Sequence, residues 1–308
     1  MNGGTPDFAD VTVIVPAWRA AKTIDRALDS IAAQTLKPRA VVVVDDGSPD
    51  DTFSKARAWR DRFNGIRLVV LRQDNAGPGA ARNRALAEAR TEFVAFLDAD
   101  DEWLPEKLAR SMACMKSGDY VLVAHDSVEV DGDRVMPIDC ARRFRAAGAT
   151  PYVGLYRRGF IDTATVLART DVVRAAGGFD ATLPNGQDFA LWLAMLADPG
   201  ARFLVFDEAL SRYHRTPGSV MSHIDRRRRC CMAIARRHVF DLRRHPGLPL
   251  ASLWFRTVAV HKEAFDAHRA RNDMIAAMRT LLALPANLIA ASAAYLFGRP
   301  PALRPHGE

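Results

Sequence analysis

Short runs of apolar residues separated by amphipathic stretches make up the first half of the chain. The apolar runs predict four buried strands, at residues 11–15, 40–44, 66–71 and 93–97. Helical spacing of apolar side chains predicts three helices between them, at residues 20–34, 51–63 and 80–89. Strands that lack polar alternation are buried on both faces, and alternating helices cover such a parallel sheet. The pattern therefore predicts an α/β fold with a Rossmann-like, mostly parallel sheet flanked by helices.

The second half of the chain is less regular. Apolar runs predict further strands near residues 163–168 and 202–207, with a helix at residues 188–196 between them. From about residue 221 onward the pattern is helical and rich in arginine. We therefore predict two domains, an α/β domain at residues 1–220 and a helical C-terminal extension at residues 221–308.

The apolar tail at residues 281–297 is interrupted by Pro285, Asn287 and Ser292. Its length of about 17 residues is at the short limit for a helix that spans a membrane. We interpret the tail as an interfacial or packing helix rather than a transmembrane one.

The net charge and its distribution narrow the possible functional classes. The chain has 308 residues and a net charge of +7, with arginines concentrated in the second half and unbroken at residues 226–229. Such a run attracts nucleic acid, anionic lipid or a phosphorylated acceptor, unless it is simply a solvated helix face. Because no aromatic residues interleave with it and no nucleic-acid-binding motif is present, no nucleic-acid partner is expected.

The cysteines and the N-terminus indicate the compartment. The four cysteines show no CxxC spacing, which argues against a disulfide framework and against a structural zinc site. The first residues have neither the basic nor the apolar segment of a signal peptide. We therefore expect a cytoplasmic protein, either free or bound peripherally to the cytoplasmic face of a membrane.

Polar clusters directly follow two of the predicted strands. Asp45-Asp46-Gly47-Ser48 follows the second strand, and Asp98-Ala99-Asp100-Asp101 follows the fourth. In open parallel sheets, ligands bind outside the carboxyl ends of the strands. An Asp-Gly pair after a strand is also a common turn, so the first cluster alone is weak evidence. Together the two clusters indicate a binding site at this edge.

The three carboxylates of Asp98, Asp100 and Asp101 indicate a cation. Carboxylates this close in sequence repel one another unless a positive charge lies among them. Hard oxygen ligands suit Mg²⁺ or Mn²⁺, which also bind the phosphate oxygens of a substrate. Capping of the next helix explains one of these residues but not all three. The cluster therefore predicts a site for a divalent metal and a phosphate group.

Several ordered segments resemble the large family 2 of inverting glycosyltransferases, which have a GT-A fold. In the first half these are VIVPAW (13–18), VVDDGSPDDT (43–52), NAGPGAARN (75–83) and FLDADDEW (96–103). In the second half they are GGFD (177–180), GQDFALWL (186–193) and RYHRTPGSVM (212–221). The resemblance covers roughly residues 11–221, and several motifs in the same order are more specific than any single one.

The resemblance implies a nucleotide-sugar donor site. Asp46 would contact the nucleotide base, and Pro16 and Ala17 would line the same site. Arg82 would contact the diphosphate or the base. The donor is expected to be a nucleoside-diphosphate sugar, most commonly a UDP-sugar in this family.

The resemblance also implies a metal site and a catalytic base. Asp98 and Asp100 form the DxD element of the family, which touches the ribose and the metal-bound diphosphate, and Asp101 shares that work. His214 matches a position near the diphosphate or the metal, although a satisfied histidine explains it equally well. Asp188 matches the general base, although it is also placed to cap the following helix.

The chain departs from the family pattern at two places. Trp18-Arg19 stands where the family often has a tyrosine-asparagine pair, which affects how the nucleotide packs. Gln187-Asp188 stands where the family commonly has Glu-Asp, which retains the expected base. Every carboxylate with an implied role is present.

The implied function is therefore an inverting, hexosyltransferase-type reaction that uses Mn²⁺ or Mg²⁺ and a glycan or lipid-linked acceptor. The C-terminal arginines and the apolar tail add the hypothesis of peripheral membrane contact. Two alternatives stay open at this point: a sugar nucleotidyltransferase and a non-catalytic sugar-nucleotide-binding protein. Against the first, the N-terminal region lacks a glycine-rich, lysine-bearing signature.

Overall fold

The computed structural model of the protein describes residues 8–215 and 223–298. These residues form two compact units, each assembled from segments that are separate in sequence. The first unit contains residues 8–142, 161–182 and 202–215. The second unit contains residues 143–160, 183–201 and 223–298.

The first unit is built on one sheet, in which the described residues form nine strands. These are β1 (Phe8–Ala17), β2 (Lys37–Asp45), β3 (Arg67–Arg72), β4 (Phe93–Phe96), β5 (Glu102–Trp103), β6 (Leu122–Asp131), β7 (Arg134–Ile138), β8 (Leu167–Arg169) and β9 (Phe203–His214). The strand order is β3-β2-β1-β4-β8-β6-β9-β5, and β7 pairs with β6. The helices of this unit are α1 (Ile24–Ala32), α2 (Thr52–Ala58), α3 (Pro78–Glu88), α4 (Lys107–Lys116) and α7 (Thr170–Ala175).

The four strands predicted from the first half form the parallel part of the sheet. β3, β2, β1 and β4 pair in parallel. Residues on both faces of β1, β2 and β4 are buried, as the continuous apolar runs predicted, whereas the edge strand β3 is half-buried. Val13 packs in a core cluster with the apolar stripe of α1 (Ile24, Leu28 and Ile31), while Ile14 on the opposite face is also fully buried. The predicted α/β class is thus confirmed.

The predictions for the second half were only partly correct. The apolar run at residues 163–168 was predicted as a strand, but residues Thr163–Thr165 form a single 3₁₀ turn and only β8 follows. β8 is antiparallel to both β4 and β6, so the sheet is mixed beyond β4. An apolar run indicates that a segment is buried but not which strand it pairs with. It therefore revealed neither the 3₁₀ turn nor the antiparallel direction of β8. The strand predicted at residues 202–207 is confirmed and extends to His214 as β9.

The second unit is helical. Its helices are α6 (Pro151–Arg158), α8 (Gln187–Met195), α9 (Ile224–His238), α10 (Pro249–Ala270), α11 (Met274–Leu282) and α12 (Leu284–Phe297). A further helix, α5 (Cys140–Ala146), crosses the sequence boundary between the units. α6 and α8 come from well before the predicted C-terminal extension and pack against α10 and α9, respectively. The predicted boundary between residues 220 and 221 lies outside the described residues.

Candidate active site

The carboxyl ends of β1, β2 and β3 lie side by side at one edge of the sheet. The strand register pairs Ala17 with Asp45, and Asp45 with Arg72. The backbone N–H of Asp46 donates to the carbonyl of Ala17 at 2.8 Å, which extends this pairing past the end of β2. Pro16, Ala17 and Asp46 are buried, so the structure brings together these three predicted donor-site residues.

The carboxylate of Asp46 organises the loop that follows β3. Its Oδ1 accepts hydrogen bonds from Gln73 Nε2 at 2.7 Å and from the Ala76 N–H at 2.9 Å. Its Oδ2 accepts from the Gly77 N–H at 2.8 Å. A carboxylate has about four acceptor positions, so one is left for a ligand. The sequence predicted a ligand contact here but did not reveal this structural role.

A polar cavity of about 620 Å³ opens beside this loop. It is lined by Gly47, Arg72, Gln73, Asp74, Asn75 and Arg84. Gly47 has a φ of +76°, and a Cβ atom there would lie 3.0 Å from the Asn75 backbone nitrogen. A side chain at this position would therefore strain the backbone and push the loop away.

We expect Asp46→Asn to destabilise the protein by about 2 kcal/mol, because an amide offers one acceptor oxygen where three donors converge. The amide nitrogen would face at least one of these N–H groups. Chemical denaturation measures the change, and Asp74→Asn, an exposed neighbour, is the control. Equal stability of Asp46→Asn and the wild type would show that these hydrogen bonds do not hold the loop.

Arg82 and Asp98 form a partly buried ion pair between α3 and the end of β4. Arg82 Nη2 lies 2.5 Å from Asp98 Oδ1, and the side chains are 7% and 33% exposed. The guanidinium of Arg82 also lies 5.3 Å from the centroid of the Phe179 ring. Phe179 in turn packs edge-on against Phe96, the last residue of β4. An ion pair and an aromatic face thus fix Arg82 at the strand end.

The GGFD segment positions Arg82 through its neighbour in α3. The backbone N–H and carbonyl of Phe179 both hydrogen-bond to the Asn83 side chain, at 2.8 and 2.7 Å. Gly178 has a φ of +67°, and a Cβ atom there would lie 2.6 Å from Asn83 Oδ1. The close approach therefore requires glycine. Two motifs separated by almost one hundred residues in sequence meet here, which the sequence pattern did not indicate.

The acidic loop after β4 holds the predicted metal ligands. Asp101 is buried, and its Oδ1 accepts a hydrogen bond from the His214 backbone N–H at 3.0 Å. Burial, together with the charges of Asp100 and Asp98, raises the pKa of the Asp101 carboxyl well above its usual range. Asp101 therefore joins the loop to the end of β9, and the structure brings His214 to the same region.

These residues fit a divalent cation bound through few protein ligands. Within residues 8–215 and 223–298, no three His, Cys, Asp or Glu side chains are grouped so as to hold a metal ion. Mg²⁺ usually binds one or two carboxylates and takes its other ligands from substrate phosphates and water. Burial and the charges of Asp100 and Asp98 disfavour the ionised form of Asp101. A cation bound among these carboxylates would relieve their repulsion.

Sequence reasoning missed two charged residues around this loop. Arg26, on α1, donates a hydrogen bond to the Asp100 carbonyl and lies 3.8 Å from Glu102 Oε2. Glu102 also forms an ion pair with Arg212 and lies 3.5 Å from His214 Nε2. Burial lowers the pKa of His214, with Arg26 acting in the same direction. An arginine on the amphipathic helix α1 carries no sequence signal for this contact.

A fully buried lysine lies behind the acidic loop. Lys107 Nζ donates to the Val166 carbonyl at 3.1 Å and lies 4.2 Å from the centroid of the Trp103 ring. Burial lowers the pKa of Lys107 to about 7. The Trp103 indole N–H donates to the Ala164 carbonyl at 2.8 Å, so both side chains hold the same turn. Burial lowers the pKa of the neighbouring His125 to about 3, and the charge of Lys107 acts in the same direction.

The stability of the protein should therefore rise with pH above about 7. Between this folded-state pKa and the usual value of 10.5, the unfolded chain binds more protons at Lys107 than the folded chain does. The resulting slope is at most about 1.4 kcal/mol per pH unit. We expect Lys107→Met to lose this slope in denaturation measured between pH 7 and 9, and the exposed Lys116→Met to keep it. If the wild type and both variants showed the same slope, the pH dependence would have to come from groups other than Lys107.

Asp188 lies in the second unit, in the first turn of α8. It is half-buried, and its Oδ1 accepts from the Phe189 backbone N–H at 2.7 Å. The guanidinium of the buried Arg256, on α10, lies 4.7 Å from the centroid of the Phe189 ring. α10 thus contacts Phe189, the residue that follows the predicted base, and the sequence gives no motif for this contact.

Comparison with known proteins identifies the family. The model of the glycosyl transferase family 2 matches residues 12–168. The amylovoran biosynthesis glycosyltransferase AmsB of Erwinia amylovora is 31% identical over 214 residues, which span 66% of this chain and 69% of AmsB. The succinoglycan biosynthesis protein ExoU of Rhizobium meliloti is 34% identical over 237 residues, 67% of this chain and 65% of ExoU. The UDP-Glc:alpha-D-GlcNAc-diphosphoundecaprenol beta-1,3-glucosyltransferase WfgD of Escherichia coli is 27% identical over 221 residues, 69% of this chain and 80% of WfgD.

Solved structures share the fold at lower identity. The structure of S. aureus TarS 1-349 in complex with UDP-GlcNAc has a TM-score of 0.66 and 22% identity, and the match covers 94% of this chain and 92% of that one. The mannosyltransferase PcManGT from Pyrobaculum calidifontis, in complex with GDP-Man and Mn²⁺, has a TM-score of 0.62 and 22% identity, covering 96% and 90%. The chain therefore belongs to the glycosyl transferase family 2, as a glycosyltransferase with a GT-A fold.

Proposed function

We propose that this glycosyltransferase moves a hexose, with inversion, from a UDP-sugar to a glycan or lipid-linked acceptor. The reaction would take place in the cytoplasm or at the cytoplasmic face of a membrane. The observation that carries the proposal is the convergence of Asp46, the Arg82–Asp98 pair and the acidic loop at one sheet edge. Two similar proteins support this choice of substrates. TarS binds UDP-GlcNAc in its solved structure, and WfgD is named as a transferase from UDP-Glc to a diphosphoundecaprenol-linked sugar.

Asp46 and the residues around it would bind the nucleoside. The open acceptor position of its carboxylate suits a base N–H, and Pro16 and Ala17 provide the buried surface beside it. Arg82, held by Asp98 and Phe179, would direct its remaining N–H groups towards the diphosphate or the base. Trp18, which is 45% exposed at the end of β1, would pack against the nucleotide.

The acidic loop would hold a divalent cation, Mn²⁺ or Mg²⁺, through Asp100 and Asp98, with Asp101 and His214 close by. When bound, such a cation neutralises the negative charge that develops on the diphosphate. The complex of PcManGT with GDP-Man and Mn²⁺ supports this assignment. Asp101 would also keep β9 attached to the loop, because its carboxylate accepts the His214 N–H.

Asp188 would act as the general base. Its carboxylate would take the proton of the acceptor hydroxyl while that oxygen forms a bond to the anomeric carbon. The bond from the anomeric carbon to the diphosphate oxygen breaks on the opposite face, and the nucleoside diphosphate leaves with the electron pair. Inversion therefore requires one displacement and no covalent enzyme intermediate.

The proposal is tested by measuring the release of nucleoside diphosphate from a panel of nucleotide-sugars. We expect release from one donor in the presence of Mn²⁺ or Mg²⁺ and loss of release in EDTA. An increase in melting temperature on addition of a donor would detect binding independently of turnover. If no donor gave diphosphate and none raised the melting temperature, the assignment of the sheet edge as a donor site would be wrong.

A further inference from the structure

The two C-terminal helices expose an apolar surface in the second unit. Ile275 and Leu282 on α11 are 69% and 74% exposed, and Ile289 and Phe297 on α12 are 71% and 86% exposed. Across the described residues, Met274–Phe297 is the one helical stretch long and apolar enough to cross a membrane, with a mean hydropathy of 1.6 over 18 residues. Exposed apolar areas of this kind mark a site of association. We call the exposed side of α11 and α12, with Trp254 and Phe255 of α10, the C-terminal apolar face.

Other side chains of these helices contact the rest of the second unit. The Trp254 indole N–H donates to Ser292 Oγ at 2.8 Å, and Asn287 Nδ2 lies 3.2 Å from His261 Nε2. Ala277 and Ala291 are fully buried on the inner sides of α11 and α12. Polar contacts to α10 along this length hold the helices on the protein, so an arrangement along a surface is favoured over a membrane-spanning one.

Arginines lie beside the face, and the Asp273 carboxylate at the start of α11 accepts the Ala276 backbone N–H at 2.9 Å. Between residues 274 and 297 the sequence contains one charged side chain, Arg279, and no carboxylate. The guanidinium of Arg243 lies 5.0 Å from the centroid of the Tyr295 ring on α12. Those of Arg157 and Arg158 lie 5.6 and 5.7 Å from the centroid of the Phe255 ring. Arginines beside exposed or half-buried aromatic rings suit the boundary between lipid headgroups and acyl chains.

We propose that the C-terminal apolar face docks on the surface of a lipid bilayer that contains anionic headgroups. The apolar side chains of α11 and α12 enter the outer acyl region, and the bordering arginines contact the phosphates. Two apolar helices that carry no carboxylate and have arginines beside them match this partner in both polarity and charge. Docking at this face goes beyond the proposed reaction and is independent of the donor sugar.

Flotation of the full chain with phosphatidylcholine vesicles, with and without phosphatidylglycerol, tests the proposal. We expect the wild type to float with vesicles that contain phosphatidylglycerol. Ile275→Glu with Ile289→Glu should lower binding by about 100-fold or more, since each apolar side chain contributes at least about tenfold. Val135→Glu, at a 61% exposed position on β7, is the matched control and should bind as the wild type does.

A second pair of variants separates charge from apolar insertion. Arg158→Gln and Arg243→Gln should each weaken binding to phosphatidylglycerol vesicles by about fivefold and leave binding to pure phosphatidylcholine unchanged. Wild type that fails to float with either vesicle, or glutamate variants that float equally well, would overturn the proposal. Sedimentation could also overturn it. If the wild type were a dimer and the glutamate variants were monomers, a second copy of the chain would cover the face.

Nucleotide release measured on the same samples keeps the two proposals apart. The glutamate variants should release nucleoside diphosphate as the wild type does, because none of the changed residues belongs to the donor site. Flotation without release in every protein would reject the proposed reaction and leave the docking surface standing. Release of nucleoside diphosphate without flotation would reject the docking surface and leave the proposed reaction standing.

Discussion

Asp188→Asn is expected to lower the turnover of sugar transfer by about 10³-fold while leaving donor binding unchanged. General-base catalysis contributes about 10² to 10⁴-fold, and an amide does not accept a proton at neutral pH. The substitution keeps the size of the side chain, and its oxygen can still accept the Phe189 N–H at the start of α8. The turnover number is measured with the donor identified by nucleotide release and with a saturating acceptor.

Asp198→Asn is the matched control in the same unit. Asp198 is exposed, and its Oδ1 accepts the Gly200 N–H in a similar local hydrogen bond. It should leave turnover unchanged. If Asp188→Asn retained wild-type turnover, the base would have to be assigned elsewhere. If it lost donor binding as well, Asp188 would be acting on the fold or the donor. Retained donor binding with lost transfer also excludes a purely sugar-nucleotide-binding protein.

The second large effect is expected at the Arg82–Asp98 pair. Arg82→Met and Asp98→Asn should each lower the free energy of unfolding by about 2 kcal/mol, because each leaves one charge in a partly buried site. This figure is reduced from that of a fully buried pair, because the Asp98 side chain is 33% exposed and solvent screens it. Each variant should also weaken donor binding at least tenfold, through the loss of a charged contact.

The double variant separates the structural role from the functional one. With both charges removed, we expect the stability loss to be smaller than the sum of the single losses, because no charge is left unpaired. Donor binding should stay as weak as in the single variants. Arg110→Met, in the exposed pair with Glu208, is the control and should change neither quantity. A double variant with wild-type donor affinity would remove Arg82 and Asp98 from the donor site.

Much of the candidate site could be predicted because its residues end predictable strands. The run Val41–Val44 is buried on both faces of β2, so its apolar continuity signalled a parallel strand, and the aspartates after it had to lie at the ligand-binding edge. The same reasoning located Asp98 and Asp100 after β4. The amphipathic spacing of Ile24, Leu28 and Ile31 likewise predicted the buried side of α1.

The partners of these residues could not be predicted in the same way. The pattern does not show that the Asp46 carboxylate is shared with the loop at residues 73–77, or that Arg26 donates to the Asp100 carbonyl. Nor does it show that Phe189, next to Asp188, packs against a buried arginine of α10. These contacts join residues far apart in sequence, and hydrophobic periodicity carries no information about which distant side chain comes near.

The sequence by itself determined the α/β class, the parallel strands of the first half and the positions of the acidic clusters. The reason is that the residue types of a short segment indicate whether it is buried and where a strand ends. Only the tertiary structure decided the antiparallel insertion of β8, the meeting of Phe179 with Arg82, and the grouping of α6 and α8 with the C-terminal helices. It also decided that one side of α11 and α12 is left exposed. An apolar helix reads the same in sequence whether its surface is covered or open, because what covers it is set by packing between distant elements.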